Sequence, residues 1–169
     1  MNFRSKLLLI IFAAVILTYN SCKQKEEYPV IPYIQFKSFV KINNSSGKDD
    51  KGILTISFTD GDGDIGLSQS DTLPPFDSKS EYYYNFITKY FEQQNDTLIE
   101  VTFPDTLNAR IPVITPKGNN KNIKGEIEIK IFINNTRSKF DTIAFEVYIY
   151  DRALHKSNVI TTPRIIINK

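Results

Sequence analysis

A chain of 169 residues, 41% hydrophobic and 24% charged, has enough apolar side chains to bury one core without covalent staples, which excludes disorder as its default state. Of 21 Lys and Arg, only Arg4 and Lys6 precede Cys22, and all 19 Asp and Glu follow it, so the chain from Cys22 onward is balanced and has no electrostatic pull towards nucleic acid or an anionic surface. A single cysteine and a single histidine, Cys22 and His155, exclude an internal disulfide and a histidine-rich zinc site.

Arg4 and Lys6 lead into an apolar run, Leu7 to Leu17, followed by Thr18, Tyr19, Asn20, Ser21 and Cys22. A charged start, a short apolar stretch and a small residue at the cut predict a secretory signal over residues 1–21. As a helix the run rises only ~16 Å against a hydrocarbon core of ~30 Å, too little for a permanent span. Ser21-Cys22 resembles the cleavage site of bacterial lipoproteins, in which the cysteine becomes the first mature residue and carries lipid; Tyr19 departs from the leucine many such signals hold there. Lys23-Gln24-Lys25-Glu26-Glu27 is similar to the Lys-acidic motif that directs Bacteroidota-type lipoproteins to the outer membrane and the cell surface. The resemblance implies a membrane anchor through lipid on Cys22. Residues 22–30, charged and containing Pro29, are expected to form a tether, with one domain over 31–169.

Strand signals follow. Tyr33 to Ile42 is the first, then Ile53 to Thr59, where Leu54, Ile56 and Phe58 alternate with Thr55, Ser57 and Thr59. Glu81 to Phe91 and Thr97 to Phe103 read as a pair around the turn Gln93-Gln94-Asn95-Asp96. Ala109 to Ile114 reads as a short edge, because Pro112 cannot donate to a central ladder. Ile127, Ile129, Ile131 and Ile133 share one face opposite Glu126, Glu128 and Lys130, and Ile143, Phe145, Val147 and Ile149 repeat the pattern opposite Glu146, Tyr148 and Tyr150. Val159 to Ile167 closes the series. About eight strands with no amphipathic helix predict an all-β fold, an immunoglobulin-like antiparallel β-sandwich, with a closed barrel as the alternative.

Between the second and third strand signals lies Phe58-Thr-Asp-Gly-Asp-Gly-Asp-Ile-Gly-Leu67. Alternate residues of an extended segment point the same way, and Gly61 and Gly63 let the backbone curl, so Asp60, Asp62 and Asp64 converge and repel. A hard cation relieves that repulsion, and Ca²⁺ takes six to eight oxygen ligands. In the register of the helix-loop-helix calcium loop these residues stand at positions one, three and five, and Asp71 at twelve, but Ile65 occupies the glycine position and no helix flanks the loop. Only the ligand logic carries over. The other reading is that the two Asp-Gly pairs are solvated turns holding no ion. If Ile53–Thr59 and Ile143–Tyr150 run the same way in facing sheets, Asp151 arrives beside the loop, and Asp151 or Asn158 can add oxygens.

Tyr150-Asp-Arg-Ala-Leu-His-Lys-Ser-Asn158 resembles the turn before the last strand of bacterial immunoglobulin-like modules, and with the Asp-Gly loop it makes the chain similar to small Bacteroidota-type surface lipoproteins with a single such domain. That resemblance implies an anchored binding or interaction module with an unknown protein or glycan partner, and no enzyme. Three Asp facing one point are the wrong arrangement for a glycosidase, which needs two acids on opposite sides of a sugar. Tyr82, Tyr83, Tyr84, Tyr148, Tyr150 and Phe132 raise the alternative of a carbohydrate-binding lipoprotein in a polysaccharide-uptake system, although the same rings suit packing under the Leu67–Lys79 loop.

Overall fold

A computed structural model describes residues 26–116 and 121–169; the signal at 1–21, Cys22 and Lys23 to Lys25 lie outside the described residues. Among the described residues eight strands carry the fold: β1 (Tyr33–Asn43), β2 (Asp49–Asp60), β3 (Phe86–Gln94), β4 (Thr97–Glu100), β5 (Ile123–Phe132), β6 (Thr142–Ile149), β7 (Ile160–Thr161) and β8 (Ile165–Ile166). They form two antiparallel sheets, β1-β2-β5 and β4-β3-β6-β7, with β8 also on β6. The described residues therefore form a two-layer β-sandwich of immunoglobulin-like strand order, in which β2 pairs with β5 in one sheet and β3 with β6 in the other.

The isoleucine rows explain the layers. Leu54, Ile56 and Phe58 of β2 and Ile127 and Ile131 of β5 face Phe86 and Tyr90 of β3 and Ile143, Phe145, Val147 and Ile149 of β6, all buried. Phe145 sits at the centre, stacked on Phe39 at 5.7 Å between ring centroids and edge-on to Tyr90 at 5.6 Å. Burial of such side chains contributes roughly 1.5–3 kcal/mol each before chain entropy is set against it.

Several boundaries differ from the sequence expectation. The third strand begins at Phe86 instead of Glu81, because Tyr82 and Tyr83 donate back to Ser80 in a turn and the Asn85 side chain brackets Ile111, accepting from its N–H at 2.6 Å. β4 stops at Glu100, after which Val101 donates to Tyr90 and Phe103 packs edge-on against the Tyr90 ring. Ala109–Ile114 is no strand: Ala109 makes one bridge to Phe86, and the segment then braces the acidic loop, with Leu67 N–H donating to Ile111 O and Ile114 N–H to Ile65 O. The final strand is split by Thr162-Pro163, where the register on β6 slips by one residue and the Thr162 hydroxyl accepts from Phe145 N–H.

Candidate metal centre

Asp60 is the last residue of β2, paired with Ile123 of β5, and is wholly buried. Its Oδ2 accepts the Asp64 N–H at 3.0 Å, which curls the chain so that Asp62 and Asp64 return towards it. One carboxylate oxygen from each of Asp60, Asp62 and Asp64 lies within 4.8 Å of the others. Asp64 is held from the facing sheet, its Oδ2 accepting the Ala153 N–H at 3.1 Å. The Oδ1 atoms of all three are buried and have no hydrogen-bond partner.

Three clustered carboxylates, each with a buried acceptor that has no donor, are poorly stabilised in the charged form. Burial first, then the charges of Asp62 and Asp64, push the Asp60 carboxyl up to about 7. Burial, followed by Asp151 and Asp62, raises Asp64 as well. The donor set is all oxygen, backbone N–H groups hold one oxygen of Asp60 and one of Asp64, and one oxygen of each of the three carboxylates converges with the others. That chemistry fits a hard divalent ion.

The expected ligands separate into two groups. Asp60, Asp62 and Asp64 come together, and Asp151 arrives at the same pole, close enough to Asp64 to raise it. Asp151 engages both oxygens within its own turn, Oδ1 accepting from His155 N–H at 2.7 Å and Oδ2 facing His155 Nδ1 at 2.8 Å. This pairing raises the imidazole above its usual range. Asp71 is placed with Arg152: its Oδ2 takes Ser68 N–H and Arg152 Nη1, its Oδ1 takes Arg152 Nη2, and the guanidinium holds the carboxyl well below the usual range. Asn158 lies against β1, accepting Ile34 N–H at 2.8 Å and donating to Ile34 O at 2.9 Å.

Other residues shape the pole without a local sequence signal. Arg110 donates to the carbonyls of Tyr83, Ser68 and Asp71 and so ties down the long loop after the acidic motif. Asn122 accepts the Tyr28 N–H, and Gly61 N–H donates to Pro29 O at 2.8 Å, so the described end of the tether lies on the acidic loop. The tyrosines pack on one another: Tyr82 and Tyr148 meet Tyr150 edge-on at 5.1 and 5.6 Å, and Lys156 Nζ covers the Tyr148 ring at 3.8 Å. No protein-family model matches the chain, and no curated protein or solved structure matches it either.

Proposed function

We propose that the chain is a lipoprotein anchored in the outer membrane and displayed at the cell surface through lipid on Cys22, whose sandwich serves as a calcium-stabilised binding or interaction module. The observation that carries the ion reading is the convergence of Asp60, Asp62 and Asp64, each with a buried Oδ1 that has no hydrogen-bond partner. Calcium suits this irregular loop better than magnesium, which demands a near-ideal octahedron. The anchor reading rests on the lipoprotein-like Ser21-Cys22 sequence. A glycan-binding role depends on open ring faces, and edge-on packing with Lys156 over Tyr148 favours the interaction module instead.

Thermal melts with calcium and with chelator test the ion reading. For extracellular-type affinities, Kd on the order of 10⁻⁴ to 10⁻³ M, 10 mM calcium adds ~1.4–2.7 kcal/mol to the parent. Asp62→Asn and Asp64→Asn are expected to lose that increment. Parent and variants melting alike with and without calcium would contradict it. Intact mass of the membrane-extracted protein tests the anchor, with acylated Cys22 as the expected species and an unmodified soluble chain as the contrary one.

A further inference from the structure

The amide between the first two aspartates is not free: Gly61 N–H is held by Pro29 O at 2.8 Å, and the position a Cβ would take on Gly61 lies 2.2 Å from Tyr28 O. Only glycine admits this approach. The segment from Glu26 to Ile31 is otherwise lightly attached, by Tyr28 N–H to Asn122 Oδ1 at 2.9 Å and by an ion pair of Glu26 with Lys124, while Val30 and Ile31 are 50% and 54% exposed. A segment fixed by a few polar contacts and little apolar burial opens at low free-energy cost.

We propose that Glu26–Pro29 is a strap over the acidic loop, and that calcium binding at Asp60, Asp62 and Asp64 and docking of this strap are one linked equilibrium, so that the ion fixes how the domain is held to its N-terminal attachment. This inference rests on the calcium reading above. It also stands on Asp60, which is 0% exposed with an unpaired Oδ1 and directly precedes Gly61, the residue the strap contacts. The electrostatic reason is differential. Docking brings two carbonyl dipoles, Tyr28 O and Pro29 O, and a segment containing Glu26 and Glu27 towards three carboxylates. Without a cation that approach is opposed, and only the Gly61 and Asn122 hydrogen bonds and the Glu26–Lys124 ion pair hold the strap against it; a cation removes the opposition. Whatever the ion adds to strap docking, the docked strap must add to ion affinity.

The test uses the full chain in detergent solution with calcium chloride as the probe, and combines calorimetry with hydrogen exchange at the Tyr28 amide, whose acceptor Asn122 lies outside the acidic triplet. Calcium is expected to slow exchange at Tyr28 by about tenfold relative to chelator. Asn122→Ala, and separately Lys124→Gln, are expected to weaken calcium binding by about three- to tenfold, although neither side chain belongs to the carboxylate cluster. Tyr28 exchange that ignores calcium, with both variants binding it as tightly as the parent, overturns the strap and leaves the ion reading standing. A parent that takes up no calcium overturns both.

Discussion

Gly66→Ala is expected to destabilise the protein by about 3–4 kcal/mol, combining a disfavoured backbone conformation with an overpacked contact. Gly66 sits at φ 113°, outside the region that L side chains adopt, and an added Cβ would lie 2.2 Å from Pro112 O, 2.6 Å from Pro112 C and 2.6 Å from Val113 Cα. All three are backbone atoms of the brace that receives Leu67 N–H and supplies Ile114 N–H, so no side-chain rotation relieves the clash. Moving the brace also disturbs Ile65, a wholly buried residue next to Asp64. Urea unfolding in calcium buffer is the measurement: a large fall in midpoint at unchanged slope is expected. A variant within about 1 kcal/mol of the parent would show that the brace yields freely.

The second large effect is in pH. With divalent ions removed, the protein is expected to lose about 2 kcal/mol or more of stability between pH 4 and pH 7, because the Asp60 carboxyl is pushed up to about 7 in the folded chain while the unfolded chain titrates in the ordinary range. The sign follows from proton uptake. Below pH 4 both states hold the proton and the contribution is complete; as pH rises towards 7 the unfolded state releases its proton first, so stability drains away. The raised imidazole of His155 adds a loss of the same sign only at higher pH, above the ordinary imidazole range. Asp71, held low by Arg152, acts oppositely, contributing above the usual carboxylate range and failing only in stronger acid. The diagnostic quantity is therefore the difference between the parent and Asp60→Asn, measured by denaturant unfolding across pH in chelator. Asp60→Asn is expected to flatten the slope, and saturating calcium to remove it in the parent. Equal slopes for parent and variant would show that Asp60 ionises without penalty.

The strands β2, β5 and β6 were legible because each writes its burial largely as a period of two in Ile, Leu, Phe and Val, whereas β1 was marked by composition, its alternation broken by a bulge after Phe36. The start of β3 was hidden by Tyr82-Tyr83-Tyr84, a run with high strand propensity that is held in turns by contacts from Arg110 and Asn85 to distant backbone. Asn85 and Asn158 illustrate why. Each uses its amide oxygen and nitrogen to pair with both the N–H and the C=O of one isoleucine, Ile111 or Ile34, replacing a ladder partner. A carboxylate could accept but not donate there, yet the sequence alone makes Asn158 look like one more oxygen at an acidic pole.

In the acidic loop the same division holds. The convergence of Asp60, Asp62 and Asp64 was legible, but it comes from the curl closed by Asp64 N–H on Asp60 Oδ2 and not from extended alternation, and Asp151 arrives beside them from the turn after β6. Asp71 fell at a ligand position only by analogy with a helical calcium loop; in the sandwich its nearest counter-charge is Arg152, 81 residues on. Gly61 reads in the sequence as an aid to curvature, whereas it also admits the Tyr28 carbonyl, as Gly66 admits that of Pro112. Such crossings come from remote segments, so no local pattern announces them.

Isothermal titration of calcium into the chelator-treated protein near pH 8 tests the central claim most directly, since Asp60 there needs a counter-ion rather than a proton. The account predicts one ion bound per chain, with Kd on the order of 10⁻⁴ to 10⁻³ M, and the binding heat abolished in Asp62→Asn. A flat titration, alongside unchanged stability in the presence of calcium, would mean that the three carboxylates are accommodated by protons and water alone.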